Sequence, residues 1–184
     1  ENPTALLPTV YPRRLADMVG LMKELGLRGI WGTSTQNPYL FPLNLWMALK
    51  LWQEEGRPDD LVSTYLARSF GPESVEPGIH YLEATEKAWD LVQGDSQRDA
   101  GFLKIFVISM PRRMLPEQCI RHGVPDAFRA DTEKALLYAE EAFSAAETLS
   151  DSIREYHALD ANTIVASAEV FYWMVCLRHK KIPV

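Results

Sequence analysis

The stretch Leu27 to Gln53, LRGIWGTSTQNPYLFPLNLWMALKLWQ, constrains this chain more than any other. A strand-like run, a polar loop and a long apolar helix follow one another there without interruption. Residues 12–26 before it have the spacing of an amphipathic helix, so the order is helix, strand, loop, helix. That is the rhythm of an α/β unit. Downstream the periodicity is helical throughout. The sequence therefore predicts a mainly α fold, a helical bundle with a short N-terminal helix-strand-helix remnant. The division falls at residues 1–56 for the α/β remnant and 57–184 for the bundle.

Length and composition set the outer limits. The 184 residues suffice for one ordinary domain with a core of its own. A hydrophobic fraction of 47% with 24% charged residues is globular and argues against disorder. A net charge of −6 argues against a nucleic-acid partner, because phosphate neutralisation needs a basic footprint. The longest apolar run, Ile164 to Leu177, is interrupted by Ser167 and Glu169 and is too short to span a bilayer, so no membrane partner is expected. The N-terminus, ENPTALLPTV, has no basic n-region and reads as the start of a processed or excised piece. Two cysteines make no disulfide framework and leave the compartment open.

Along the chain, Pro12 suits the first turn of a helix, and Leu15, Met18, Val19, Met22 and Leu25 form one apolar face. Gly26 stands where a left-handed cap is needed. Arg28 to Thr33 is predicted as a short strand whose glycines, 29 and 32, permit close backbone approach. A loop of hydrogen-bonding residues runs to Phe41, and a helix from Pro42 to about Glu55 turns Trp46, Leu49 and Trp52 inward. Pro58-Asp59-Asp60 opens the next helix with carboxylates at its positive end, and Gly71-Pro72 stops it. Further helices are predicted over 79–92, 98–110 and 126–149, with an irregular connector at 111–125. Ser150-Asp151 is the predicted cap of a last helix reaching Lys180.

The segment LMKELGLRGIWGTSTQNPYLFPLNLWMALKLWQEEGRPDDLVSTYLARSFGP resembles the last strand and last helix of a glycoside-hydrolase-type (β/α)8 barrel. The part from Asp59 is similar to the helical region that follows such barrels in hexosaminidase-like and alpha-glucuronidase-like families. The run into the strand, the Trp near its end, the N-x-W-x-A-x-K-L-W helix and the Phe70-Gly71-Pro72 stop carry the likeness, closely over residues 20–75. The resemblance implies that the remnant is the end of an α/β barrel and that the helical bundle packs beside it. It also implies a carbohydrate partner, bound through a barrel this chain does not contain.

The residues themselves suit that geometry. Barrel chemistry sits on loops at the C-terminal ends of strands, which here means Trp31 to Tyr39. Trp31 offers an aromatic face to a sugar ring, and Asn37 and Tyr39 offer polar contacts. These three are the candidate substrate-binding residues. Each has a structural alternative: Trp31 as core filler, Asn37-Pro38 as turn chemistry. Between Gly26 and Gln53 there is no Asp or Glu, whereas glycoside hydrolysis ordinarily needs two carboxyls across the scissile bond. No catalytic residue is therefore assigned, and the chain alone is not expected to hydrolyse glycosides.

Two other patterns stand out. Cys119-Ile-Arg-His122 and Cys176-Leu-Arg-His179 share the form C-x-R-H, and their four ligands would suit a tetrahedral zinc site if they met. The spacing is loose and the first copy lies among prolines, so two ordinary thiols are the favoured reading and neither metal nor cofactor is assigned. Glu169, in the apolar stretch IVASAEVFYWMVC, is read as the wet side of a mostly buried helix, and His157 with Asp160 as a surface pair. The resulting expectation is the C-terminal helical portion of a carbohydrate-active protein, supporting a barrel and adding secondary sugar contacts. An unpaired strand edge at 28–33 would also promote homo-oligomers. The alternative is a self-standing helical protein-interaction module.

Overall fold

The computed structural model describes residues 12–29, 41–53, 56–93 and 129–179. Six α-helices account for most of them: α1 (Pro12–Glu24), α2 (Phe41–Trp52), α3 (Pro58–Phe70), α4 (Val75–Gln93), α5 (Arg129–Ile153) and α6 (Ala158–His179). A single 3-10 turn, Pro72–Ser74, joins α3 to α4. No strand occurs among the described residues. The helical bundle is thus as the periodicity predicts. Arg28 and Gly29 are outside any strand, and the rest of the predicted strand, residues 30–33, lies outside the described residues. The predicted helix at 98–110 also lies outside them.

The core is built where small residues let helices approach. Along α5, Ala135, Ala139, Ala142, Ala145, Ala146, Leu149 and Ile153 are buried. Alanine leaves room for a neighbouring backbone, and α5 packs along both α4 and α6. The matching face of α6 is Ala161, Ile164, Ala168, Phe171 and Val175. Large side chains then span the remaining gap, with Tyr81 and Trp89 from α4 almost wholly enclosed. Leu43 and Met47 of α2 and Leu61, Val62, Leu66 and Phe70 of α3 form one continuous cluster with Tyr81, Ala142, Leu149 and Ile164.

Helix ends follow the local chemistry. At the end of α1, Leu27 N–H donates to the Met22 carbonyl at 3.0 Å and Gly26 N–H to that of Lys23 at 2.9 Å. Gly26 has φ +72°, so the predicted left-handed cap is realised. Pro58 stands in the first turn of α3, with Asp59 and Asp60 beside it at the positive end.

Four boundary and face expectations are corrected. Helix α4 begins at Val75 and not at Ile79, because Pro77 sits in the first turn, where a missing N–H costs no helical bond. The predicted cap at Ser150-Asp151 lies inside α5, which continues to Ile153. Ser150 is buried there, and its hydroxyl accepts a hydrogen bond from Arg154 at 2.9 Å. The turn comes later, where His157 N–H bonds back to the Ile153 carbonyl at 2.8 Å. On α2 the buried positions are Leu43 and Met47, with Trp46 only partly covered and Leu49 exposed. On α1 Pro12 and Val19 are buried and Leu15 packs partly against the core, while Met18 and, just past the helix, Leu25 face outward. Helix α2 is apolar on more than one side, so periodicity alone does not select the side that packs; α1 presents one broad apolar face, of which the part at Leu15 and Val19 is covered and the part at Met18 is open.

Candidate functional site

The first feature that stands apart from core packing is the apolar exterior of α1 and α2. Met18, Leu21, Leu25, Leu27, Leu45 and Leu49 are between 42% and 68% exposed. Residues 18 and 21 share one face of α1, with Leu25 just past its end, and residues 45 and 49 share one face of α2. The two helices pack against each other. In the sequence FPLNLWMALKLW, only Asn44 and Lys50 are polar. A helix apolar all round belongs in an interior, yet here one side is covered and the other is open. Exposed apolar stripes of this kind mark surfaces that meet another folded body.

The second feature is the anchorage of α1 on α4. Residues 10–12 are Val, Tyr and Pro, so α1 has no side chain of its own to cap its first N–H groups. Glu86 of α4 supplies the acceptor. Its carboxylate takes the Arg14 N–H at 2.9 Å and the Arg13 N–H at 3.3 Å. The Arg13 and Arg14 guanidinium groups pair with Glu83 and Asp90 respectively. Burial raises the Glu86 carboxyl above its ordinary range, more than the two backbone hydrogen bonds lower it, and nearby Asp90 adds to the rise. A small pocket of about 60 Å³ adjoins this contact, lined by Pro12, Arg13, Val62, Ile79, Leu82 and Glu86 among others. It has room for a water molecule or two and none for a sugar ring.

The other titratable groups lie either in the core or in pairs at the helix surface. The Tyr81 hydroxyl is buried beside Thr85 and Ser167, and desolvation drives its pKa strongly upward. Thr85 Oγ1 is buried there without a well-formed hydrogen bond. Tyr172 lies against Cys176, whose hydrogen bond, with burial and the nearby Glu140, pushes the phenol up to about 12. His157 Nδ1 lies 3.5 Å from Asp160 and its ring packs edge-on against Phe70 at 5.3 Å, which makes it the partly covered surface pair the spacing indicated. Glu169 is exposed and accepts from the Trp173 indole at 3.5 Å.

Trp31, Asn37 and Tyr39, the candidate sugar contacts, lie outside the described residues, as do Cys119 and His122. Cys176 is buried in α6. Among the described residues no group of three His, Cys, Asp or Glu side chains is placed to hold a metal. Nor is any described helix long and apolar enough to cross a membrane. No family model, curated protein or solved structure matches the chain.

Proposed function

We propose that this chain is the C-terminal helical portion of a glycoside-hydrolase-like protein, in which α1 and α2 lie between a barrel and the bundle. The observation that carries the reading is α2, whose covered side holds Leu43 and Met47 and whose open side holds Leu45 and Leu49. A helix sandwiched between two layers needs two apolar sides. The last helix of a barrel with a bundle packed outside it is such a helix. In this arrangement Trp31, Asn37 and Tyr39 supply secondary sugar contacts, and the catalytic carboxyls come from elsewhere in the protein.

The test uses the native polypeptide that carries these residues, assayed against a panel of aryl glycosides. Hydrolysis that falls on Trp31→Ala, with the circular dichroism spectrum retained, is the expected result. A native polypeptide that neither hydrolyses nor binds any sugar would end the reading. A second reading, a helical protein-interaction module, is favoured by the bundle itself, whose described helices share a buried core of their own. The apolar stripes of α1 and α2 would then meet a separate protein, and their polar replacement would abolish that complex without touching any glycosidase activity.

A further inference from the structure

Helix α1 is fastened to α4 by polar groups, while Val19 is buried and Leu15 packs partly against the core. Of its thirteen residues only Pro12 and Val19 are buried. Glu83, Glu86 and Asp90 succeed one another at three and four residues, so they form one edge of α4. That edge holds the Arg13 side chain, the first N–H groups of α1 and the Arg14 side chain. At the other end, Lys23 Nζ donates to the Leu51 carbonyl at 2.8 Å, in the last turn of α2. Beneath the first turn the apolar contact is incompletely filled, leaving the pocket beside Val62, Ile79 and Leu82.

We propose that α1 is an ionically fastened strap, able to lift from α3 and α4 while α4, α5 and α6 stay folded. Half-exposed ion pairs are weak and are screened by salt, whereas apolar burial is not. The free energy for opening α1 therefore lies below that for unfolding the alanine-lined core. A lifted helix of this length is marginal on its own in water, so its amides exchange once it leaves the bundle. Lifting uncovers Val62, Ile79 and Leu82 and changes where the apolar stripe of α1 points.

Hydrogen exchange read by mass spectrometry on the whole chain tests it, at about 0.1 M and about 1 M sodium chloride, where the screening length falls from about 10 Å to about 3 Å. The α1 peptide is expected to lose protection by about tenfold, a change of 1.4 kcal/mol, while peptides of α4, α5 and α6 keep theirs. The double variant Glu83→Gln/Asp90→Asn should produce the same selective loss at the lower salt. Two results would overturn the proposal. One is α1 protection that neither salt nor the variant changes, which would mean burial of Val19 holds the helix. The other is α1 and α5 losing protection together, which would make them one cooperative unit.

Discussion

Trp89 of α4 and Phe171 of α6 stack with ring centroids 4.7 Å apart and 29° between their planes. Both are almost completely buried, and α5 packs against the helices that carry them. The stack therefore ties together two helices across the face of a third. Truncating a buried aromatic removes its transfer free energy and leaves a cavity. Trp89→Ala is expected to cost about 3–5 kcal/mol, and Phe171→Leu about 1–2 kcal/mol, since most of the volume remains. Urea denaturation followed by circular dichroism measures both, with an unchanged m-value showing that the loss is in the folded state.

Gly78 and Gly20 make opposite predictions for the same substitution. A Cβ on Gly78 would meet Leu66 Cδ1 at 2.7 Å, and Leu66 is fully buried in the cluster between α3 and α4. With no room to yield, Gly78→Ala is expected to destabilise by about 1–3 kcal/mol despite alanine's better helix propensity. Gly20 in α1 has nothing within 4 Å. Gly20→Ala should therefore stabilise by roughly 0.5–1 kcal/mol, the propensity gain alone. Thermal unfolding of the two variants side by side decides the pair.

The helices were legible because their caps and apolar spacings are local. Pro12, Gly26, Pro58 and Gly71 punctuate the chain where the structure starts or stops a helix. How much of the apolar face of α1 is covered, and which side of α2 is buried, was not legible. Leu49 and Met47 are both apolar, and only the tertiary packing decides that Met47 is covered. The join of α5 to α6 was misplaced because Ser150 is a good capping residue that instead became a buried hydroxyl facing Arg154. The anchorage of α1 by Glu86 spans more than seventy residues of sequence, so no local pattern could reveal it. Trp31, Asn37 and Tyr39 had only loop chemistry and a resemblance behind them.

Glu86 predicts a pH dependence with a definite sign. Its carboxyl is raised in the folded protein from an ordinary value of 4.5, so the folded state takes up the proton more readily than the unfolded chain does. Its contribution to stability is then fully present below the unfolded pKa and is lost as pH rises through the folded one. The stability difference between the wild type and Glu86→Gln should shift in favour of the wild type as pH falls through that window. Denaturant midpoints measured from pH 7 to pH 4 on both proteins check it. A difference that moves the other way would mean that the two backbone hydrogen bonds outweigh burial.

The open stripe makes the last prediction. Leu21 and Leu49 are more than half exposed on α1 and α2, and neither side chain belongs to the buried cluster. Replacing both by Gln keeps good helix formers at each position and removes apolar surface that only another folded body would cover. Leu21→Gln/Leu49→Gln is therefore expected to change stability by no more than about 0.5 kcal/mol per site. The same variant should lose any concentration-dependent association that the wild type displays in sedimentation velocity. Destabilisation of about 2 kcal/mol or more would instead identify these leucines as part of the core, because surface substitutions seldom cost that much. That outcome would remove the two-sided α2 on which the barrel reading depends.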